Sequence, residues 1–418
     1  MPNTIKTLSD GDITRKALSL LHNNLVFCKE INKEYDSRFA VSGAKNGGSL
    51  LIREPNQFTV RTGAIMDSQD VTESVQTLAV ATQKGVDINF SSVELTLSLD
   101  DFAERILKPA MARLAADVDA TVISGCYPYV YNTVYTTIST VPKLSDILLA
   151  RARLNKGLAP TGDRKFMTEG VAANGIITDG RALFHASSEI ERQYTQGLLG
   201  EIAGFKFYET EMTPVHTNGD RAAGAFWVNT SATATAGLVS GTATIKVFCS
   251  TTTTGDSAFK AGDVFTIANV YAVNPETKSR YAHLQQFSVV TDVSITSAGT
   301  TVTISPTPVT SGAKQNVSKV SNSAKAALVV DGAGSNGVAS TNYVTSLGFH
   351  KDAFTMVTAD LEVPRGVDFA AREVYDGISL RLVRNYDITN DKFPCRIDVL
   401  FGYKAIRPEW ATRVLSAQ

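Results

Sequence analysis

Apolar positions three and four residues apart open the chain. Ile13, Ala17, Leu20, Leu21, Leu25, Cys28 and Ile31 form one stripe, the period of an amphipathic helix. Asp10 or Asp12 can cap its start, and glycines at 43, 47 and 48 mark its end, so one helix of about 20 residues is expected. Residues 49–97 change period. Leu50, Leu51 and Ile52 begin a strand, and Phe58 and Val60 alternate with polar neighbours. A polar stretch at 67–73 interrupts; then Val86, Ile88 and Phe90 alternate, followed by Val93, Leu95 and Leu97. Two alternating runs about a polar middle predict a long two-stranded arm. An isolated pair of strands is marginal in water, so the arm should lean on another subunit.

A second helical stripe, Phe102, Ile106, Ala110, Leu114, Val118 and Val122, repeats every four residues up to Gly125. Ser98 and Asp101 have capping-box spacing. The run is roughly 35 Å long at 1.5 Å per residue, and Pro109 predicts a kink. Further helices are expected over 145–156, stopped by Gly157 and Pro160, and over 179–196, with a strand over 204–210. From 229 to about 323 helical periodicity vanishes. Strand-like runs at 242–248, 263–273, 286–295 and 301–304 are separated by turn residues, the pattern of a small all-β domain. An α/β pattern resumes afterwards, which marks this domain as an insertion into a parent fold. The chain closes on a hairpin: Ile378, Leu380, Leu382, Arg384 and Tyr386 share one face, 387–391 turns, and Cys395, Ile397, Val399 and Phe401 return.

Length and composition narrow the class. A chain of 418 residues predicts two or three domains, and 43% hydrophobic against 19% charged residues suffices for a core. Lys plus Arg total 40 and Asp plus Glu 41, which argues against tight, sequence-independent nucleic-acid binding. The opening Met1-Pro2-Asn3-Thr4-Ile5-Lys6 does not read as a secretion signal. No apolar run of about 18 residues predicts a membrane helix. Cys28, Cys126, Cys249 and Cys395 are too widely spaced for a disulfide framework or a zinc motif, so buried free thiols of a reducing cytoplasm are expected.

A search for chemistry returns little. No two of His22, His185, His216, His283 and His350 lie within ten residues, and the His-Glu-x-x-His, Cys-x-x-Cys and Walker patterns are missing. His22 reads as an ordinary helix-face residue. Gly332-Ala333-Gly334-Ser335-Asn336-Gly337 follows an apolar run, but a dinucleotide site needs a helix to begin there. The β-branched and polar residues at 338–344 do not supply one, so a flexible linker is expected. Ser335 lacks the strand–turn–helix setting of a nucleophile elbow for the same reason. Asp100-Asp101 reads as a helix cap, and Asp117 with Asp119 is a second acidic pair. Arg105, Lys108 and Arg113 read as a solvated helix face. No catalytic, metal or cofactor residue is expected.

The order of elements resembles the tailed-bacteriophage major capsid fold of the Hong Kong 97 type. It is most similar to coat proteins of short-tailed phages that carry an extra β-domain. The resemblance spans nearly the whole chain. It rests on the helical arm, the two-stranded loop, the Ile106-Leu107-Lys108-Pro109-Ala110 step and Ile202-Ala203-Gly204-Phe205-Lys206-Phe207. It continues through Ala261-Gly262-Asp263-Val264-Phe265-Thr266-Ile267, Gln286-Phe287-Ser288-Val289-Val290 and Phe349-His350-Lys351-Asp352-Ala353-Phe354. Leu361-Glu362-Val363-Pro364, Gly377-Ile378-Ser379-Leu380-Arg381-Leu382, 398–404 and Arg407-Pro408-Glu409 complete it.

The resemblance implies an α+β fold. Its parts are an N-terminal helical arm (1–47), an extended loop (48–97), a peripheral domain with spine helix and the first part of an axial domain (98–228), an inserted β-domain (229–325), and the remainder (326–418). It implies a non-enzymatic major capsid subunit that assembles in the host bacterial cytoplasm, as pentamers and hexamers, into an icosahedral shell around double-stranded DNA. Implied partners are further copies of itself, a scaffolding protein, a portal protein and non-specifically contacted packaged DNA, with no membrane. A rounder precursor would mature to a larger, thinner particle, with the β-domain directing and stabilising assembly. The Lys–Asn crosslinking pair of some relatives does not map onto this sequence. Arg53, Arg61, Asp67, Asp70 and Glu73 put unusual charge on a strand-like arm, and are expected near subunit contacts; solvent exposure is the alternative. An encapsulin-like nanocompartment shell is a second reading, disfavoured by the large insertion. A β-rich adhesin or carbohydrate-active enzyme is a third, lacking an evident secretory signal or paired acids.

Overall fold

A computed structural model describes residues 10–36, 49–60, 63–66, 68, 73–91, 106–135, 141–180, 200–219, 225–230, 238–250, 259–320, 323, 325–330 and 342–417. The chain divides into two compact units.

The first unit draws on 1–53, 75–125 and 354–404. Its sheet runs in the order Asn32–Asp36, Phe354–Ala359, Lys392–Ala405, Ile378–Arg384, Phe369–Tyr375, and Thr82–Ser91 also pairs with Lys392–Ala405. The expected closing hairpin is its centre: Arg381 stands opposite Asp398 and Arg384 opposite Cys395, with Ile378, Leu380, Ile397, Val399 and Phe401 buried.

The single N-terminal helix expected from the stripe is not formed. The helix Asp10–Asn24 stops, a short helix Phe27–Glu30 follows, and Asn32–Asp36 is a strand parallel to Phe354–Ala359. The cause lies ninety residues away. The Asp119 carboxylate accepts hydrogen bonds from the backbone N–H groups of Val26 (2.7 Å), Phe27 (3.2 Å) and Cys28 (2.9 Å). These are the amides a helix start leaves without internal partners. The apolar stripe survives the break, because Ala17, Leu21, Leu25, Cys28 and Ile31 are all buried.

The arm is also shorter than its pattern. Ser49–Arg53 pairs with Val75–Ala79, Ser49 opposite Ala79, but the second alternating run belongs to the main sheet. Thr82–Ser91 lies antiparallel to Lys392–Ala405, from Thr82 opposite Phe401 to Ser91 opposite Lys392. Alternation identifies a half-buried strand but not its partner. Val93, Leu95, Leu97, Ser98, Asp100, Asp101, Phe102 and Arg105 lie outside the described residues.

The long helix is regular from Lys108 to Cys126, preceded by a π-helical turn at Ile106 and Leu107. Pro109 follows closely on this π-helical step, the kind of local irregularity that accompanies a proline in a helix. The buried face is Leu107, Met111, Leu114, Ala115, Val118 and Val122, whereas Ile106 is exposed. A strict four-residue repeat drifts about 40° per step around a 3.6-residue helix, so the stripe starts one position later than the pattern implied. Near its end, Gly125 leaves room for the Tyr403 ring, which any added Cβ would meet at Cε2.

The second unit draws on 54–74, 126–353 and 405–418. One sheet runs Thr133–Tyr135, Ala411–Ala417, Asn342–His350, Arg164–Thr168, Phe205–Glu209, Glu201–Ile202, with Val215–Thr217 added to Asn342–His350. Two helices, Leu144–Lys156 and Gly170–Gly180, accompany it. The second was hidden by its glycines; Gly175 lies where the Val141 side chain packs and would meet any added Cβ. The described part of this helix runs through Asp179 to Gly180, and 181–196 of the helix expected over 179–196 lies outside the described residues.

The other sheet of this unit closes on itself. Neighbouring strands run Arg280–Val289, Thr300–Ser305, Thr244–Cys249, Phe226–Val228, Ala326–Val330, Val264–Val273, and the last pairs with the first. The barrel thus reaches from Phe226 to Val330, wider at both ends than the 229–325 segment. Closure removes exposed edges. Phe226, Phe259, Phe265 and Phe287 fill the interior with successive ring centroids 5.0, 6.2 and 5.9 Å apart. None of the four cysteines forms a disulfide, and all are buried. Gly332–Gly337 lies outside the described residues.

Candidate functional site

The most enzyme-like constellation in the described residues is a buried one. His216, on the strand Val215–Thr217, places Nε2 3.0 Å from Asp263 Oδ1. The other carboxylate oxygen accepts the N–H groups of Lys260 (2.9 Å) and Gly219 (3.2 Å). Arg413 donates from Nη1 to the Gly262 carbonyl (2.9 Å) and lies over the Tyr127 ring. His216 and Asp263 are at most 2% exposed and Arg413 is fully buried, and burial draws the Arg413 guanidinium below its ordinary pKa. This set clasps the barrel's 259–263 turn to the strands Val215–Thr217 and Ala411–Ala417. It offers substrate no access. Sequence spacing gave no hint of it, since His216 and Asp263 are 47 residues apart. Among the described residues no group of three or more His, Cys, Asp or Glu is placed to hold a metal, and no helix is long and apolar enough to cross a membrane.

The unusual surface is the loop that leaves the Ser49–Arg53/Val75–Ala79 pair. Val60 is 96%, Ile65 89% and Met66 80% exposed, and Leu51, Phe58 and Val75 are exposed as well. Elsewhere among the described residues only Ile388 is comparably bare. Scattered single apolar residues on a surface are ordinary, but a concentration of large ones marks an interaction site. The root of the loop is held by polar contacts. Glu54 N–H donates to the Ser74 carbonyl (3.0 Å), Ser74 Oγ to Glu54 Oε2 (2.6 Å), and Lys314 Nζ to Ser74 Oγ (2.7 Å) and Glu54 Oε2 (3.3 Å). Lys314 comes from the barrel turn between Thr300–Ser305 and Val317–Lys319.

Of the charged residues singled out on the arm, Arg53 ends the outgoing strand and Glu73 precedes the return strand, both exposed. Arg61, Asp67 and Asp70 lie outside the described residues. The apolar side chains at 65 and 66 were missed; the available signal was three apolar residues, Ala64-Ile65-Met66, inside an otherwise polar turn.

A family model described as "P22 coat protein - gene protein 5" matches residues 13–415. No curated protein matches the sequence. Solved structures are similar at low identity. One is titled "Capsid structure of the Cyanophage P-SCSP1u", at 9% identity and TM-score 0.46, covering 94% of this chain and 89% of that one. Another is titled "Asymmetric unit of bacteriophage PhiM1 mature capsid", at 11% and 0.45, covering 92% and 85%. A third is titled "Mycobacterium phage Che8", at 11% and 0.43, covering 93% and 90%.

Proposed function

This chain belongs to the P22 coat protein family, and from that membership we propose how its surfaces are used in building a shell. The protein is a major capsid protein of a tailed phage, with the Hong Kong 97-type fold and an inserted β-domain. It is a structural component of the virion that assembles with copies of itself into an icosahedral shell, and not an enzyme.

The proposed working surface is the loop between Arg53 and Val75, laid across a neighbouring subunit. The observation that carries this reading is the cluster of bare apolar side chains at Phe58, Val60, Ile65 and Met66. Burying a Val, Ile, Phe or Met side chain contributes about 1.5–3 kcal/mol. Four of them supply roughly 6–12 kcal/mol before the cost of association, which is about 4–15 kcal/mol. One such contact is weak alone and sufficient when every subunit both gives and receives one in a closed shell. Arg53, Arg61, Asp67, Asp70 and Glu73 then fix register at the rim. A scaffolding protein and a portal protein join during assembly, packaged DNA touches the wall non-specifically, and the shell expands from a rounder precursor. The inserted domain of the proposed division into 1–47, 48–97, 98–228, 229–325 and 326–418, whose barrel strands extend outward to Phe226 and Val330, steers assembly.

The test is Val60→Asp with Ile65→Asp. The unassembled subunit should melt as before, while particle yield by sedimentation and negative-stain microscopy falls at least tenfold. Normal particle yield would refute the reading.

A further inference from the structure

The barrel carries a second surface whose chemistry matches the loop. Four neighbouring strands, Thr300–Ser305, Thr244–Cys249, Phe226–Val228 and Ala326–Val330, make one wall. Successive side chains of a strand point to opposite faces. Phe226, Val228, Val247, Ala326 and Leu328 face the core, so Trp227, Lys246, Phe248, Ala327 and Val329 face outward. Trp227 stands opposite both Phe248 and Ala327 in register. Its ring stacks on Phe248 at 6.0 Å with an interplanar angle of 7°. Lys325 Nζ lies 4.9 Å from the Trp227 ring centre and Lys246 Nζ 5.4 Å from that of Phe248. Ala327 and Val329 are exposed beside them, and Trp227, Lys246 and Phe248 are half-buried. These four strands contain no Asp or Glu. The wall is therefore apolar and aromatic, with positive charge and no acid of its own.

Residues 54–74 have the opposite character. They hold four carboxylates, Glu54, Asp67, Asp70 and Glu73, against the single cation Arg61, together with the bare side chains at 58, 60, 65 and 66. An apolar, acidic loop suits an apolar, lysine-bearing wall in both burial and charge. The Glu54–Lys314 pair already joins a loop carboxylate to a barrel lysine.

We propose that the outer wall of the barrel around Trp227, Phe248, Lys246 and Lys325 is the docking surface for the 54–74 loop of a second copy of this chain. The inference rests on the reading of the loop given above, and adds the place where it lands.

Two sets of full-length subunits test it, one carrying Val60→Cys and the other Ala327→Cys, co-assembled and then oxidised. A link between chains can form only across a subunit contact, and the native cysteines are buried. Expected is a disulfide-linked dimer from mixed particles and little from either variant alone. In parallel, Lys246→Glu with Lys325→Glu should cut particle yield at least tenfold without moving the melting temperature of the free subunit. Adding Asp67→Lys and Asp70→Lys should restore at least a third of it. Particles that form normally yet give no crosslink would overturn the proposal, even if the charge-reversed subunits do not fold. So would charge-reversed subunits that assemble like the parent, or a loss that the loop changes leave unrepaired. If Val60→Asp with Ile65→Asp blocks assembly while the crosslink fails, the loop still binds a neighbour but elsewhere. If that variant assembles normally, the reading of the loop itself fails.

Discussion

Replacing Asp119 by alanine removes the side chain that caps the start of the second helix. Three backbone donors lose their acceptor, at 2.7, 3.2 and 2.9 Å, and the Phe27 and Cys28 amides are buried. Hydrogen bonds to a charged group contribute about 1.5–3 kcal/mol each, a gross loss of roughly 4.5–9 kcal/mol. Part of this is offset, because the variant no longer buries a carboxylate. That burial raises the Asp119 pKa, against the pull of the Cys28, Val26 and Phe27 amides. The net cost should be about 3–5 kcal/mol, the range found when one member of a buried charged contact is removed. Urea unfolding of the unassembled full-length subunit, followed by circular dichroism, measures it. The pH dependence adds an independent check. With a folded pKa above the unfolded one, the native state holds the proton more tightly, so this group's contribution to stability falls as pH rises from about 4 through the folded value. That component of the slope should vanish in Asp119→Ala. A change below about 1 kcal/mol would refute the capping argument.

Two further outcomes follow from local geometry. Gly125→Ala should cost about 1–3 kcal/mol by overpacking despite alanine's helix preference, since its Cβ would meet the Tyr403 ring; adding Tyr403→Leu should recover most of the loss in the same urea assay. His283 is held down to about 4 by burial and by the nearby Arg153 and Lys156, so the unfolded chain takes up this proton first and stability falls as pH drops from about 6.5 to 4; melting temperatures at pH 7 and 5 should differ less in His283→Gln than in the parent.

What the sequence disclosed follows the range of the interactions involved. The barrel strands and the closing hairpin were legible because Ile245, Val247, Val302 and Ile304, or Leu380, Ile397 and Val399, alternate locally against one core. Helix 144–156 was legible from its stripe and from Gly157. Non-local decisions were not. Nothing near Asn24 announces that Asp119 will cap the next turn, and Val86 and Ile88 alternate identically whether they join an arm or the main sheet. The candidate surface was half visible. Phe58 and Val60 stood out, while the opposing wall at Trp227 and Phe248 appears only once register brings two distant strands side by side.

The barrel's two gateposts are neighbours. Phe226, where the polypeptide goes in, is paired directly with Leu328, on the strand by which it comes out, so the detour of about a hundred residues begins and finishes about 5 Å apart. A parent fold can acquire, lose or exchange such a module without reopening the rest of its architecture. The same junction is where a foreign domain could be spliced for display on particles, because its ends would need no spacer to meet.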